Sequence, residues 1–302
     1  MKKKTKTNKL VKQNGFAIGA MISPSVFLLI VISIYPFFWL FRYVCFDYNG
    51  FTSYYSGAYN FMRMLSDKVF WTSVLHTFEY AFFKLIFIVP LSLGAAVLLN
   101  LNIKGSNFFR GVYFMPTVIS SAVYSLIFSF IFAVFNGPLN VVLSNLHLIS
   151  SPIDWLGNPH YVMTSIIIAA IWGGLGNYMI LFVSGLASIP SEIYESCKID
   201  GASGLQTFFH VTLPMLSPIM KTILLLAITG AFKDYESILV LTNGGPNNRS
   251  HVMFSYIYNL MFAPDSMPQI GYGTLLSIVA ALIIGVVTAI YLFAARRLDD
   301  VV

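Results

Sequence analysis

Residues 195–214 read Glu-Ser-Cys-Lys-Ile-Asp-Gly-Ala-Ser-Gly-Leu-Gln-Thr-Phe-Phe-His-Val-Thr-Leu-Pro, a polar stretch set between two long apolar runs. Each flanking run has the roughly 20 residues needed to cross a hydrocarbon core of about 30 Å. A charged segment between two spans has to lie in water on one side of the bilayer. It therefore fixes the order of crossings around it and offers a structured handle to something on that side.

Composition supports the membrane reading. Of 302 residues, 57% are hydrophobic and only 10% are charged, where a soluble domain carries about 25% charge. The mean hydropathy of +0.75 leaves too little polar surface for a water-soluble globule of this length, so an integral membrane protein is expected. The formal charge of +6 does not signal nucleic acid. Six lysines (Lys2, Lys3, Lys4, Lys6, Lys9, Lys12) crowd the N-terminal tail over 1–15, directly before an apolar run, which is a topology signal. Cys45 and Cys197 stand far apart without metal-ligand spacing, so neither a disulfide nor a metal site is expected. The first apolar run is too long for a signal-peptide core, lacks a small-x-small cleavage pattern and should remain as an anchor.

Six runs have the length and apolarity of spans: approximately 16–41, 79–101, 111–135, 161–187, 219–241 and 272–295. Backbone groups cannot be left unpaired in lipid and no alternating barrel pattern is present, so these runs should be helices in an all-α membrane domain over 16–298. With the N-terminus inside, the cytoplasmic side collects the six N-terminal lysines, Lys104, Arg110, Lys198, Lys221, Arg296 and Arg297, while the outer side holds Arg42, Arg63, Lys68 and Arg249. That bias places both termini in the cytoplasm, with outer loops at 42–78, 136–160 and 242–271. Tyr54, Tyr55, Trp71 and Trp155 suit an interfacial position, and Pro36, Pro90 and Pro116 read as helix kinks. The polar insert, 188–218, then faces the cytoplasm.

Within the insert, Pro190 and Ser191 open a helix with Glu192 in its first turn, and Gly201 ends it. Ser203-Gly204-Leu205-Gln206 matches a capping box and starts a second short helix, with Leu205, Phe208 and Phe209 as its apolar side. Pro214 and Pro218 close the segment. A hairpin lying on the membrane surface would favour lysines on its polar face. Here Lys198 and His210 stand against Glu192, Glu195 and Asp200, so a docking hairpin for a protein partner is the better reading.

The run from Ile189 to Glu195, with Ile199-Asp200-Gly201-Ala202 and Leu213-Pro214, resembles the EAA loop of bacterial ABC importer permeases. The interval pattern is E-A-A, three residues, Gly, nine residues, Ile-x-Leu-Pro, and every interval is kept. Ser196 and Cys197 replace the two alanines, and Val211 replaces isoleucine. Further stretches are similar to the carbohydrate-uptake branch, the maltose- and glycerol-phosphate-type permeases. These are Phe109-Arg110-Gly111 to Met115-Pro116, Trp172 with Gly176, Thr242-Asn243-Gly244-Gly245-Pro246, and Tyr272-Gly273. The resemblance covers roughly residues 15–298 and implies the type I importer permease fold.

It also implies a mechanism. Glu195, Ser196, Cys197, Asp200, Gly201, Ala202, Leu213 and Pro214 would couple the chain to a separate ATPase, with Glu195 making the polar contact and Gly201 setting the bend. The chain has no G-x-x-x-x-G-K-[ST] loop, so no cofactor is expected on it, and ATP with Mg would reside on the partner. Implied partners are a second related permease, two ATP-binding cassette subunits and an extracellular solute-binding protein, in a bacterial plasma membrane. Loop-anchored spacing within the family puts the substrate path near Gly173, Gly174, Asn177 and Tyr178, and near Ala227, Ala231, Asp234 and Tyr235. Their amide, carboxylate and aromatic groups suit sugar hydroxyls and ring faces.

Ionisable groups inside spans cost about 2.5–3.5 kcal/mol each on insertion scales. Glu79 and Lys84 are read as snorkelling or mutually paired, and Lys233, Asp234 and Glu236 as a local ion-pair cluster. Scattered histidines and the lack of a nucleophile elbow leave no catalytic constellation, so an enzyme is not expected. The competing reading is an ion-gradient-driven secondary transporter, which would carry acidic residues at mid-span and inverted repeats. It does not call for a helix–Gly–helix insert.

Overall fold

The computed structural model describes residues 17–101, 105–264 and 266–299. The lysine-rich tail over 1–15, Phe16 and Lys104, on which part of the topology argument rests, lie outside the described residues. The described residues divide into two compact units, one within 17–66 and 260–278, the other within 67–259 and 279–299.

In the first unit, α1 (Ala17–Cys45) is a 29-residue apolar helix. It widens into a π-helical stretch at Leu29–Ile34 just before Pro36. Proline removes a backbone donor and crowds the preceding turn, and a π-turn is one way a helix absorbs both. The segment expected as an outer loop from residue 42 is structured. An antiparallel pair, β1 (Phe46–Tyr48) and β2 (Ser53–Tyr55), is followed by α2 (Tyr59–Ser66). The buried Asn60 side chain donates to the Val44 and Phe46 carbonyls at 2.9 and 3.0 Å, holding α2 against the strand. The Arg63 guanidinium stacks 3.9 Å from the Tyr272 ring centre.

The second unit is built on α3 (Lys68–Asn100) and α7 (Val162–Ala187), whose long apolar faces pack along each other. The second span therefore starts at Lys68 and not near 79. Asp67 caps it by accepting from Phe70 N–H at 3.0 Å. At 33 residues, α3 is about 50 Å long, so its first turns extend beyond a bilayer core. α7 matches the expected fourth span.

The third and fifth runs are broken. α4 (Ser106–Val118) and α5 (Ser121–Ile131) meet at a 99° bend. Pro116 weakens the last turn of α4, and Ser120, in extended conformation, caps α5 by accepting from Val123 N–H. Further on, α8 (Ser191–Ile199) and α9 (Gly204–Met215) precede α10 (Ser217–Lys233), which is bent by 70° from α9. The chain leaves the helix at Asp234–Tyr235 and resumes as α11 (Glu236–Leu241). The sixth run is α13 (Ile270–Asp299), preceded by α12 (Met253–Phe262).

The segment 136–160, expected as an outer loop, contains α6 (Pro138–Asn145) and is organised by one amide. Buried Asn140 donates to the Ile153, Ala133 and Val134 carbonyls and accepts from Ile153 N–H and from Trp155 Nε1 at 3.0 Å. Trp155 is thus packed against the core beside Phe132 and Tyr161, not displayed at the interface. Asn140→Ala should lower unfolding stability in detergent by about 3 kcal/mol, because several buried groups lose partners together. Asn140→Asp should destabilise too, since a carboxylate cannot donate to three carbonyls.

Candidate functional site

The insert folds as two helices with a defined bend. α8 ends in a Schellman motif: Ala202 N–H donates to Cys197 O at 2.9 Å and Gly201 N–H to Lys198 O at 3.2 Å, with Asp200 as the C-cap. This requires a left-handed residue, and Gly201 has φ +74. An added Cβ at Gly201 would meet nothing within 4 Å, so the glycine serves backbone conformation alone.

The expected capping box opens α9. Gln206 N–H donates to Ser203 Oγ, and Ser203 N–H to Gln206 Oε1 at 2.8 Å. α9 widens into a π-turn at Phe208–Thr212 before Pro214, so Pro214 lies within the helix instead of closing it. Its apolar residues divide: Leu205 and Phe209 are exposed, while Phe208 turns onto a cleft of about 520 Å3 shared with Tyr194, Lys198 and the ends of α3 and α7. Buried Ile189 and Leu216 root the hairpin in the core.

Glu195, Asp200 and Pro214 are exposed; Cys197, Ala202 and Leu213 are half-buried. The Ser196 hydroxyl donates to Glu192 O at 2.9 Å. The serine in place of alanine is thus satisfied within its own helix and makes no demand on a partner.

A second constellation lies at the break of the fifth run. Lys84 Nζ on α3 approaches Asp234 Oδ2 at 2.7 Å and the Tyr80 hydroxyl at 3.0 Å. The Tyr80 hydroxyl also donates to Asp234 Oδ2, and the Ser237 hydroxyl donates to Oδ1 at 3.0 Å. This corrects both ionic expectations. Lys84 pairs with Asp234, 150 positions away, and not with Glu79. Asp234 does not pair with Lys233, which is exposed, while Glu236 accepts from Ser121 on α5.

The model of the family described as "Binding-protein-dependent transport system inner membrane component" matches residues 88–300. The chain belongs to this family. It is 34% identical to the arabinooligosaccharides transport system permease protein AraP of Bacillus subtilis (strain 168), over 76% of this chain and 72% of that protein. It is 31% identical to the lactose transport system permease protein LacF of Rhizobium radiobacter, over 91% and 93%. Its fold matches a chain in the crystal structure of a bacterial alginate ABC transporter in complex with alginate pentasaccharide-bound periplasmic protein. The TM-score is 0.82 with 21% identity, covering 96% of this chain and 97% of that one. The fold is that of an ABC importer permease, a multi-pass inner-membrane component.

In this permease the small residues singled out along α7 and α10 are places of close approach. A Cβ at Gly173 would fall 2.6 Å from the Tyr124 ring, one at Gly174 would sit 3.0 Å from Ile88, and one at Gly176 would sit 2.5 Å from the Tyr113 carbonyl. The similar stretches 109–116 and 172–176 therefore meet in space, where α4 crosses α7. Ala227 and Ala231 are buried on α10. Tyr178 reaches α10, its hydroxyl 3.3 Å from where a Cβ of Gly230 would stand. Asn177 is exposed on another side of α7, and Tyr235 packs on Tyr258 at 5.7 Å.

A groove of about 780 Å3 between α3 and α7, with Glu79 beside Phe83, Phe87 and Trp172, was not anticipated. Nor were Tyr80, Tyr124 and Ser237, which carry no local sequence signal. The cost of a lone charge in a span shows that Lys84 needs a partner, but not which one.

The segment that follows α11 is pinned to α3. His76 Nδ1 lies 3.2 Å from His251 O, and Met253 N–H donates to Thr77 Oγ1 at 2.9 Å. Burial, with His76 nearby, holds the His251 imidazole down to about 4. The neutral ring belongs to the folded loop, and an opened loop takes up a proton near pH 6.5. Stability here is therefore present above that value and lost as pH falls from about 6.5 toward 4. Hydrogen exchange over 243–255, corrected for intrinsic rates, should rise across this window and stay flat above pH 7. In the insert, Gly201→Ala should cost about 1 kcal/mol of hairpin stability by forcing a left-handed alanine, read as faster exchange over 191–212. Gly201→Asn should cost less.

Proposed function

We propose that this chain is the carbohydrate-translocating permease subunit of an ATP-driven importer, taking up an oligosaccharide or related polyol delivered by a solute-binding protein. The observation that carries the reading is the hairpin over 188–218. It is a rooted, bent pair of helices whose exposed Glu195, Ile199, Leu205 and Phe209 form an unsatisfied mixed surface, in a chain that lacks its own phosphate-binding loop.

In this reading the domain over 16–298 crosses a bacterial plasma membrane six times, α4 with α5 making the third crossing and α10 with α11 the fifth, with both termini and the hairpin in the cytoplasm. Glu195, Ser196, Cys197, Asp200, Gly201, Ala202, Leu213 and Pro214 couple to one of two ATP-binding cassette subunits, which hold ATP and Mg. A second, related permease completes the passage. Substrate runs past Gly173, Gly174, Asn177, Tyr178, Ala227, Ala231, Asp234 and Tyr235, the glycines and alanines setting how closely the helices around the passage approach and the others offering amide, carboxylate and aromatic groups. AraP and LacF, named for sugar transport, support the substrate class. The alginate structure, which includes a periplasmic protein, supports the binding-protein partner.

Two measurements test this. Cys197, half-buried on the hairpin, should be labelled by a membrane-impermeant maleimide in inverted vesicles and not in intact cells. Glu195→Ala and Gly201→Val should each cut sugar uptake at least tenfold, about 1.4 kcal/mol or more of coupling, while the chain still inserts. Uptake that survives both changes and runs on an ion gradient without ATP would establish the secondary-transporter reading instead.

A further inference from the structure

The Lys84–Asp234 pair sits where a lever would have its far end. α10 starts at the 70° bend that follows the hairpin and runs 17 residues, about 25 Å, to Lys233. The next residue is Asp234, with ψ 123, and after it Tyr235 has φ −144. Asp234 is thus extended while Tyr235, with ψ −24, is neither extended nor helical, and these two non-helical residues join α10 to α11.

What bridges this joint is one carboxylate. Asp234 accepts from Ser237 in the first turn of α11, and from Tyr80 and Lys84 one turn apart on α3. α3 is itself fixed to α7 through Ser92, whose hydroxyl donates to Leu175 O at 2.9 Å. The paired side chains are only 11% and 14% exposed, and breaking such a pair strands a charge in low dielectric. The contact therefore behaves as made or unmade, with little between. α11 leads on to Thr242, whose hydroxyl meets Ser250 at 2.8 Å in the outer loop.

We propose that Lys84 is a positioning residue for transport. By holding Asp234 it fixes the joint between α10 and α11 to the α3–α7 frame, so that movement entering at the hairpin is passed on to α11 and the outer loop through this ion pair. The proposal rests on the reading of 188–218 as the ATPase-facing element. Without Lys84, Phe232 still packs on Phe78 of α3 at 5.0 Å, but the joint beyond it is released and hydrolysis proceeds without driving the passage.

The test uses the complete transporter, co-purified with its partner subunits and reconstituted in proteoliposomes. ATP hydrolysis is measured with and without the sugar-loaded binding protein, and uptake is counted per ATP. Lys84→Met and Asp234→Asn should raise hydrolysis in the absence of binding protein at least fivefold and cut uptake per ATP at least fivefold. Lys84→Arg should keep both near wild type. Ser237→Ala keeps both charges and should give a smaller change in the same direction, which preserves the test if a charge variant fails to assemble. Unchanged uptake per ATP in the charge variants overturns the proposal. So does a loss of hydrolysis and uptake in step with lost complex, the mark of a purely structural pair. Wild-type transporter that shows no ATP-dependent uptake would instead fail the function reading, before any variant is compared.

Discussion

Inside hydrocarbon a peptide group or a charge finds no water, so every departure from continuous helix has to be satisfied by the chain itself. Three such departures among the described residues of the permease are each resolved differently. At the 99° bend Ser120 caps the following helix; at the 70° bend Leu216 N–H still donates to Thr212 O and Leu216 O accepts from Met220 N–H; at Asp234 a carboxylate is compensated by a lysine on another helix. The long helices α3 and α7 need no such devices and act as the frame on which the broken runs are hung. Close approach at Gly173 and Gly176 lets that frame accept an aromatic ring and a crossing backbone, in the absence of a hydrophobic drive between helices in lipid.

The same constraint explains what the sequence disclosed. The fourth run was legible within a residue or so because it is apolar throughout, with no competing signal. The hairpin was legible because its cues are local: Gly201, Ser203 and Gln206 act within six positions of one another. The breaks were not. Hydropathy sums along the chain and carries no direction, so an Ile119–Ser120 step inside an apolar run leaves the mean nearly unchanged while the helix turns by 99°. Glu79 looked like a boundary only because the sum penalises charge, although α3 continues well past it.

Long-range pairing was the other limit. Lys84 and Asp234 announce a need for partners by their types, and Tyr80 and Tyr124 look like any membrane aromatics. Which groups meet depends on how α3, α5, α7 and α10 cross, and that follows from packing at small residues such as Gly173, Gly176, Ala227 and Ala231, which stand on different helices. The similar stretches 109–116 and 172–176 make the point: they stand apart in sequence, yet one provides the backbone and the other the glycine of a single crossing.

Gly201 has a consequence of a different sort. Its φ of +74 belongs to the half of conformational space that a D-residue occupies at ease, and the space where a side chain would project is empty. A hairpin assembled by peptide ligation with D-alanine there would keep its bend and add a methyl to open surroundings, whereas the L-enantiomer would strain the same turn. At this one position the handedness of the residue, rather than its size or polarity, separates a working elbow from a distorted one.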